Sequence, residues 1–181
     1  NGNYDDAFDL SLELAEILGH DLRSTAVNPF LAEGKKTCAL EIAEQFNWDP
    51  PEFVAVSVGD GCLISGLAKG FQDLHDLGWI AERPKLIGVQ AKGSASLARA
   101  FARGLTAAEP VEGVTLADSI AVSLPKDGPR ALRAVRESKG RFITVSDDEI
   151  LDAMRYLASR LGVFAEPAGA APIAGLMKLA T

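Results

Sequence analysis

Residues 54–66, VAVSVGDGCLISG, join an apolar, β-branched run to an amphipathic stretch through two glycines, Gly59 and Gly61. This order predicts a buried strand over 53–58, a tight loop, and a helix over 64–77. Glycines let the backbone approach a ligand closely, and the N-terminus of a helix favours anions. The segment therefore predicts either a phosphate-binding loop or no more than a tight turn between a strand and a helix.

The spacing of the loop separates the classes of phosphate site. A loop for nucleoside triphosphates needs Gly-Lys-Ser/Thr after its second glycine, where this chain has Cys62 and Leu63. A dinucleotide loop needs a third glycine where Ile64 stands, and an acid at the end of the next strand, which ends near Gln90. What remains is a single phosphate held by backbone N–H groups, as in a small phosphorylated cofactor.

The rest of the chain alternates strand and helix patterns, which predicts an α/β fold with a parallel sheet. A capping box of Ser146 and Glu149 marks one helix start. Residues 21–27 are predicted to be a short extended piece, and 106–115 a loop. Further strands are predicted over 85–91, 119–124 and 142–145, and helices over 5–18, 36–47, 93–104, 129–139, 147–161 and from about 170.

Composition limits the partners and the compartment. A net charge of −7 argues against nucleic acid, and no apolar run approaches the length of a membrane span. Cys38 and Cys62 form no Cys-x-x-Cys motif, so no metal site is predicted, and two lone thiols suit the cytoplasm. The chain begins without Met and ends within a helical pattern, so we expect a piece of a longer polypeptide.

Two side chains near the expected site have open roles. Glu166 stands between an apolar pair and a Pro-Ala-Gly turn, where a carboxylate is either paired structurally or part of a site. Cys62 is either a reactive thiol at a helix N-terminus or a small residue whose backbone matters. Both positions remain candidates on the sequence alone.

Six stretches of the chain are informative when taken together: NPFLAEGKKT, VSVGDGCLISGLAKGF, LIGVQAKGS, ADSIAVSLPKDGPRALRAVRESKG, TVSDDEILDAM and FAEPAGAAPIAGLMKL. Together they resemble the threonine synthase family of pyridoxal-phosphate enzymes. The likeness extends from about Gly2 to Thr181 in the family's order. It implies the tryptophan synthase β-like fold, fold type II, which has three αβα layers around a parallel sheet and would be incomplete here.

The resemblance implies a reaction, a cofactor and binding residues. The family converts O-phospho-L-homoserine and water to L-threonine and phosphate, with pyridoxal 5'-phosphate as the electron sink. By resemblance, the motif EPAGA at Glu166 closes the pocket floor near the cofactor ring. The loop residues that would hold the cofactor phosphate are Gly59, Asp60, Gly61, Cys62 and Leu63.

Two motifs of the family are missing from this sequence. The Schiff-base lysine lies in a Ser-Phe-Lys-Asp type of motif upstream of anything in this chain, and a Thr-Gly type of motif is expected beyond Thr181. The resemblance thus assigns no catalytic residue to this chain and implies that it is inactive alone. It places residues 1–27 at the end of a small domain and residues 28–181 in the large cofactor-binding domain. The full-length protein would be a homodimer.

The substrate stays open at this point. Some threonine synthases carry an arginine for the substrate phosphate where Leu31 stands, and Asn-Ser where Thr25 and Ala26 stand. Lys35 or Arg130 are alternative sources of positive charge. The rival activities are a threonine or serine dehydratase and a phosphoserine-using relative such as cysteate synthase. A further alternative is a non-catalytic α/β domain that binds an anion.

Overall fold

A three-stranded parallel sheet organises the part of the chain that the computed structural model describes, which is Gly2, residues 4–24 and residues 26–180. Its central strand is buried from Leu86 to Ala91 and mostly apolar, as expected of a strand covered on both faces. The strands, in their order across the sheet, are β1 (Phe53–Ser57), β2 (Lys85–Ala91) and β3 (Arg141–Val145), with Val56 opposite Gly88 and Gly88 opposite Phe142.

Eight α-helices are described along the chain, and none is long and apolar enough to cross a membrane. Two 3₁₀ turns, Lys92–Ser94 and Asp118–Ile120, and a π-helical turn, Leu157–Leu161, complete the regular structure. The helices are α1 (Tyr4–Leu18), α2 (Pro29–Gly34), α3 (Thr37–Gln45), α4 (Cys62–Asp76), α5 (Ser96–Ala102), α6 (Gly128–Glu137), α7 (Asp147–Tyr156) and α8 (Pro167–Leu179).

The core has one part on each face of the sheet. Helices α3, α4, α5 and α6 pack on one face, where Leu86 of β2 joins Ile64 and Phe71 of α4. Helices α7 and α8 cover the other face, where Val89 of β2 joins Ile150 of α7. Because side chains alternate along a strand, β2 contributes to both halves of the core. The result is a three-layer α/β arrangement.

The sequence located most of these elements, but the predicted strand at 119–124 is wrong. Residues Asp118–Ile120 form a 3₁₀ turn instead. The buried hydroxyl of Ser94 accepts a hydrogen bond from the Val122 amide at 3.0 Å and lies 2.9 Å from the Val122 carbonyl oxygen. This side chain satisfies the polar backbone that a neighbouring strand would otherwise satisfy.

Strand β1 lies at the edge of the described sheet and exposes Phe53 by 42%, but Val54 and Val56 pack in one half of the core and Ala55 packs against the other half. Two helix starts need correction. Helix α2 was not predicted; Asn28 caps it by accepting the Phe30 amide at 3.0 Å, with Pro29 at the first position. Helix α8 also has a proline at its first position, Pro167, and begins earlier than expected, although no side chain caps it. Thr25, within the predicted extended piece, and Thr181 lie outside the described residues.

The capping box at the start of α7 provides a test of local stability. The Glu149 amide donates to Ser146 Oγ at 3.2 Å, and the Ser146 amide donates to Glu149 Oε2 at 2.6 Å. We expect Ser146→Ala to lower the free energy of unfolding by about 1 kcal/mol, because one helical N–H loses its acceptor. Urea denaturation measures the change, with Ser159→Ala on the exposed π-helical turn as control. Equal losses in both variants would contradict the capping role.

Candidate functional site

The loop Gly59–Leu63, called the glycine loop below, opens into a cleft of about 830 Å³ at the carboxyl end of β1. Residues 118–122 form a second wall, and the start of α8 at Glu166 forms a third. Ligands of parallel α/β sheets bind beyond the carboxyl ends of the strands. The cleft has the volume of a small-molecule site.

The backbone amides of the glycine loop are available to a ligand. Within the described part of the chain, the amides of residues 59–64 donate to no protein acceptor, and the first amide of α4 with a partner is that of Ser65, bonded to the Gly61 carbonyl at 3.2 Å. The first N–H groups of a helix have no intrahelical acceptor. They carry the positive end of the helix dipole. The loop is therefore suited to a phosphate.

Both glycines are required by their surroundings. A Cβ at Gly59 would lie 2.9 Å from Ile120 Cα, so a side chain would collide with the second wall of the cleft. Gly61 has φ of +93° and a Cβ there would lie 2.8 Å from Cβ of Ala131 on α6. The loop is thus pressed between the 3₁₀ turn and α6 without room for side chains at either position.

The segment before α6 anchors the glycine loop through backbone amides. The Lys126 amide donates to Asp60 Oδ1 at 2.5 Å, and the Asp127 amide donates to the Asp60 carbonyl at 3.2 Å. The Lys126 ammonium group reaches α1, where it lies 3.2 Å from Asp5 Oδ1 and 4.9 Å from the centre of the Phe8 ring. One residue therefore contacts both the loop and α1.

Negative charge concentrates beside the loop. Burial raises the pKa of Asp60, and nearby Asp127 raises it further, while the hydrogen bond from the Lys126 amide opposes the shift. Burial and the charge of Asp60 raise the pKa of Tyr4 to about 12, so its phenol stays protonated at neutral pH. Tyr4 lines the cleft and can donate a hydrogen bond there.

Glu166 lies across the cleft from the glycine loop, at the N-cap of α8. The Ser119 hydroxyl donates to its Oε2 at 3.3 Å, and its side chain caps no helical amide. The sequence left open whether this carboxylate is paired or in a site; in the structure it has a partner and also lines the cleft.

A second pocket of about 420 Å³ adjoins the first, because Tyr4 lines both. Arg23 and Lys35 line this second pocket with Ser24 and Leu31. Among the described residues, neither Arg23 nor Lys35 has an acidic group within ion-pair distance. Two uncompensated cations favour an anionic ligand group.

All six site residues predicted from sequence line the main cleft. Their roles toward a cofactor stay predictions. Sequence reasoning missed Tyr4, Ser119 and Asp127, which come from segments far along the chain. Ser119 could have been suspected from the ADSI stretch, which already belonged to the resemblance. The six predicted residues are Gly59, Asp60, Gly61, Cys62, Leu63 and Glu166.

Comparison with known proteins gives a family and close relatives. The family described as pyridoxal-phosphate dependent enzyme matches residues 1–181. The threonine synthase of Methanocaldococcus jannaschii is 42% identical over 180 residues, which is 98% of this chain and 44% of that protein. The threonine synthase of Mycobacterium tuberculosis is 38% identical over 98% of this chain and 47% of that protein. The chain thus spans less than half the length of these relatives.

Solved structures share the fold. The T.th. threonine deaminase superposes with a TM-score of 0.74 at 27% identity, over 92% of this chain and 58% of that chain. Maize serine racemase superposes with a TM-score of 0.75 at 25% identity, over 97% of this chain and 51% of that chain. Both likenesses agree with the three-layer arrangement around a parallel sheet.

The glycine loop yields a test with a matched control. Gly61→Ala places a side chain at positive φ and against Ala131, so we expect a loss of about 2–3 kcal/mol in unfolding free energy. Gly104 also has positive φ, +71°, but a Cβ there would meet nothing within 4 Å. Gly104→Ala should therefore cost only about 1 kcal/mol. Urea denaturation measures the unfolding free energy of both variants. Equal losses would show that contact between residue 61 and α6 does not affect stability.

Proposed function

The chain belongs to the family of pyridoxal-phosphate dependent enzymes and has their fold type II architecture, and on this basis we propose that the protein carrying it is a threonine synthase. Such an enzyme converts O-phospho-L-homoserine and water to L-threonine and phosphate. The single observation that carries the proposal is the row of amides at residues 59–64. They have no acceptor among the described residues and line a cleft of the right size in a chain of this family.

The residues present fit the cofactor. Amides of Gly59, Asp60, Gly61, Cys62 and Leu63 would hold its phosphate, and the absence of side chains at the two glycines leaves the backbone accessible. Leu63 replaces an asparagine frequent in the family, so its side chain adds no hydrogen bond, while its amide still can. When bound, pyridoxal phosphate supplies the electron sink for proton removal from the substrate and loss of its phosphate.

Glu166 and Tyr4 line the cleft outside the glycine loop. We assign Glu166 to the floor beneath the cofactor ring, where the Ser119 hydroxyl fixes its carboxylate at 3.3 Å. The protonated Tyr4 phenol lies between the two pockets and can donate a hydrogen bond to an anion in either. The Schiff-base lysine motif is not in this chain, so we propose that the chain is inactive by itself.

The second pocket favours a phosphorylated substrate. Arg23 and Lys35 line it without acidic partners among the described residues, and it adjoins the cofactor cleft at Tyr4. They would replace the arginine that some threonine synthases have at the position of Leu31. A substrate phosphate carries about two negative charges, which two cations bind well.

Helix α1 is proposed to belong to a separate small domain that ends near residue 27, with the large domain from residue 28. Its described residues include none that is buried, and its contacts with the rest include the ion pairs of Lys126 with Asp5 and Asp9. A helix attached through charged groups is suited to moving with another domain. We further propose that the whole protein is a cytoplasmic homodimer.

A threonine deaminase is the second candidate, favoured by the structural likeness to the T.th. enzyme and by the EPAGA motif at Glu166. The two activities use different substrates and release different products. The full-length protein with its cofactor should release inorganic phosphate and form threonine from O-phospho-L-homoserine. Formation of a keto acid from threonine, without phosphate release from O-phospho-L-homoserine, would overturn the proposal in favour of the deaminase.

Lys35 provides a test of the substrate pocket. Lys35→Ala in the full-length protein should raise KM for O-phospho-L-homoserine by about tenfold or more, because a charge-assisted hydrogen bond is lost. Lys69→Ala is the control, since Lys69 pairs with Asp73 away from both pockets. Initial-rate measurements of phosphate release give KM for each variant. The same KM in both variants would remove Lys35 from the pocket's function.

A further inference from the structure

Three potential metal ligands meet behind the glycine loop. A carboxylate oxygen of Asp60, Sγ of Cys62 and a carboxylate oxygen of Asp127 all lie within 4.8 Å of one another. Asp60 and Cys62 come from the loop, and Asp127 from the turn before α6. The spacing of the two cysteines predicted no metal site. Asp127 is far from the loop along the chain and approaches it only in the fold, so no local sequence pattern marks this group.

Asp127 gives an independent indication that this group holds a ligand. The residue is only 2% exposed, and its Oδ1 accepts a hydrogen bond from Arg130 Nε at 2.8 Å. Its Oδ2 is buried and has no hydrogen-bond partner among the described residues. A buried carboxylate oxygen without a partner is costly. A cation bound at Oδ2 would remove this cost.

We propose that Asp60, Cys62 and Asp127 bind one zinc-like divalent cation, with water in the fourth position. A thiolate together with two carboxylates suits a borderline-soft metal, whereas magnesium and calcium prefer oxygen alone. Ligand atoms of one zinc ion, at about 2.0–2.3 Å from it, lie roughly 3.5 Å apart. The three atoms lie within 4.8 Å of one another, so they need to close by up to about 1.3 Å, which small side-chain rotations would supply.

The surrounding charges leave room for a cation. The Arg130 guanidinium is bonded to Asp127 Oδ1, and the Lys126 ammonium is directed to Asp5 and Asp9 on α1. Thus no basic side chain in the described part of the chain is within ion-pair distance of Asp60. The ion would offset the charge of these carboxylates beside the loop amides. Only its benefit to a bound cofactor phosphate rests on the proposed function.

Metal binding to the full-length protein, with its cofactor present, tests the proposal without an activity assay. After treatment with EDTA and desalting, equilibrium dialysis against zinc measures the metal bound per chain. We expect the parent to bind one more zinc ion than Cys62→Ser, and Asp127→Asn to weaken this binding at least tenfold. With cobalt in place of zinc, the parent should show thiolate-to-metal absorption that Cys62→Ser lacks.

Cys38→Ser is the matched control, because Cys38 is the other cysteine of the chain and lies on the exposed surface of α3. It should bind zinc like the parent. Equal zinc binding by the parent and Cys62→Ser, or loss of binding in Cys38→Ser, would overturn the site. Circular dichroism checks that Asp127→Asn folds. If it does not fold, the comparison of the parent with Cys62→Ser tests the site. A folded protein that binds zinc but lacks threonine synthase activity would contradict the proposed function alone.

Discussion

The contact between the glycine loop and the turn before α6 is the constraint on which the site depends. Two successive amides, those of Lys126 and Asp127, bind the side chain and the carbonyl of Asp60. Gly61 packs against Ala131 one turn into α6. These bonds engage the side chain and the carbonyl of Asp60, while the loop's own amides donate to no acceptor in the described part of the chain. The same interaction therefore fixes the loop's shape and directs its amides into the cleft.

The fold was predictable where local pattern and tertiary packing agree. The mostly apolar run of β2 gave its strand to the residue, and the capping box of Ser146 gave the start of α7, because burial and capping both act within a few positions. The end of α7, at Tyr156, comes earlier than predicted. The segment 119–124 failed because its backbone is satisfied by Ser94, a side chain far away in sequence. The exposure of Phe53 was not predicted, because the apolarity of a strand does not reveal that it lies at an edge of the described sheet.

The residues of the candidate site were also predictable only in part. The glycine loop was evident from spacing, since strand, glycines and helix are contiguous. Glu166 was a candidate only because of its apolar context and motif. Tyr4 and Asp127 gave no local signal, because their importance arises from carboxylates and a thiol that the fold brings together. Sequence reasoning finds a backbone binding loop readily and an electrostatic environment with difficulty.

Lys126 links α1 to the glycine loop by two chemically separate attachments. Its backbone amide bonds Asp60, which any residue except proline can do, while its ammonium group alone reaches Asp5 and the Phe8 ring. Substitution of the side chain would thus remove these contacts with α1 and spare the hydrogen bond to the loop. Evolution can adjust how tightly α1 is held, or abandon the attachment, at a single codon without rebuilding the place where a phosphate would bind.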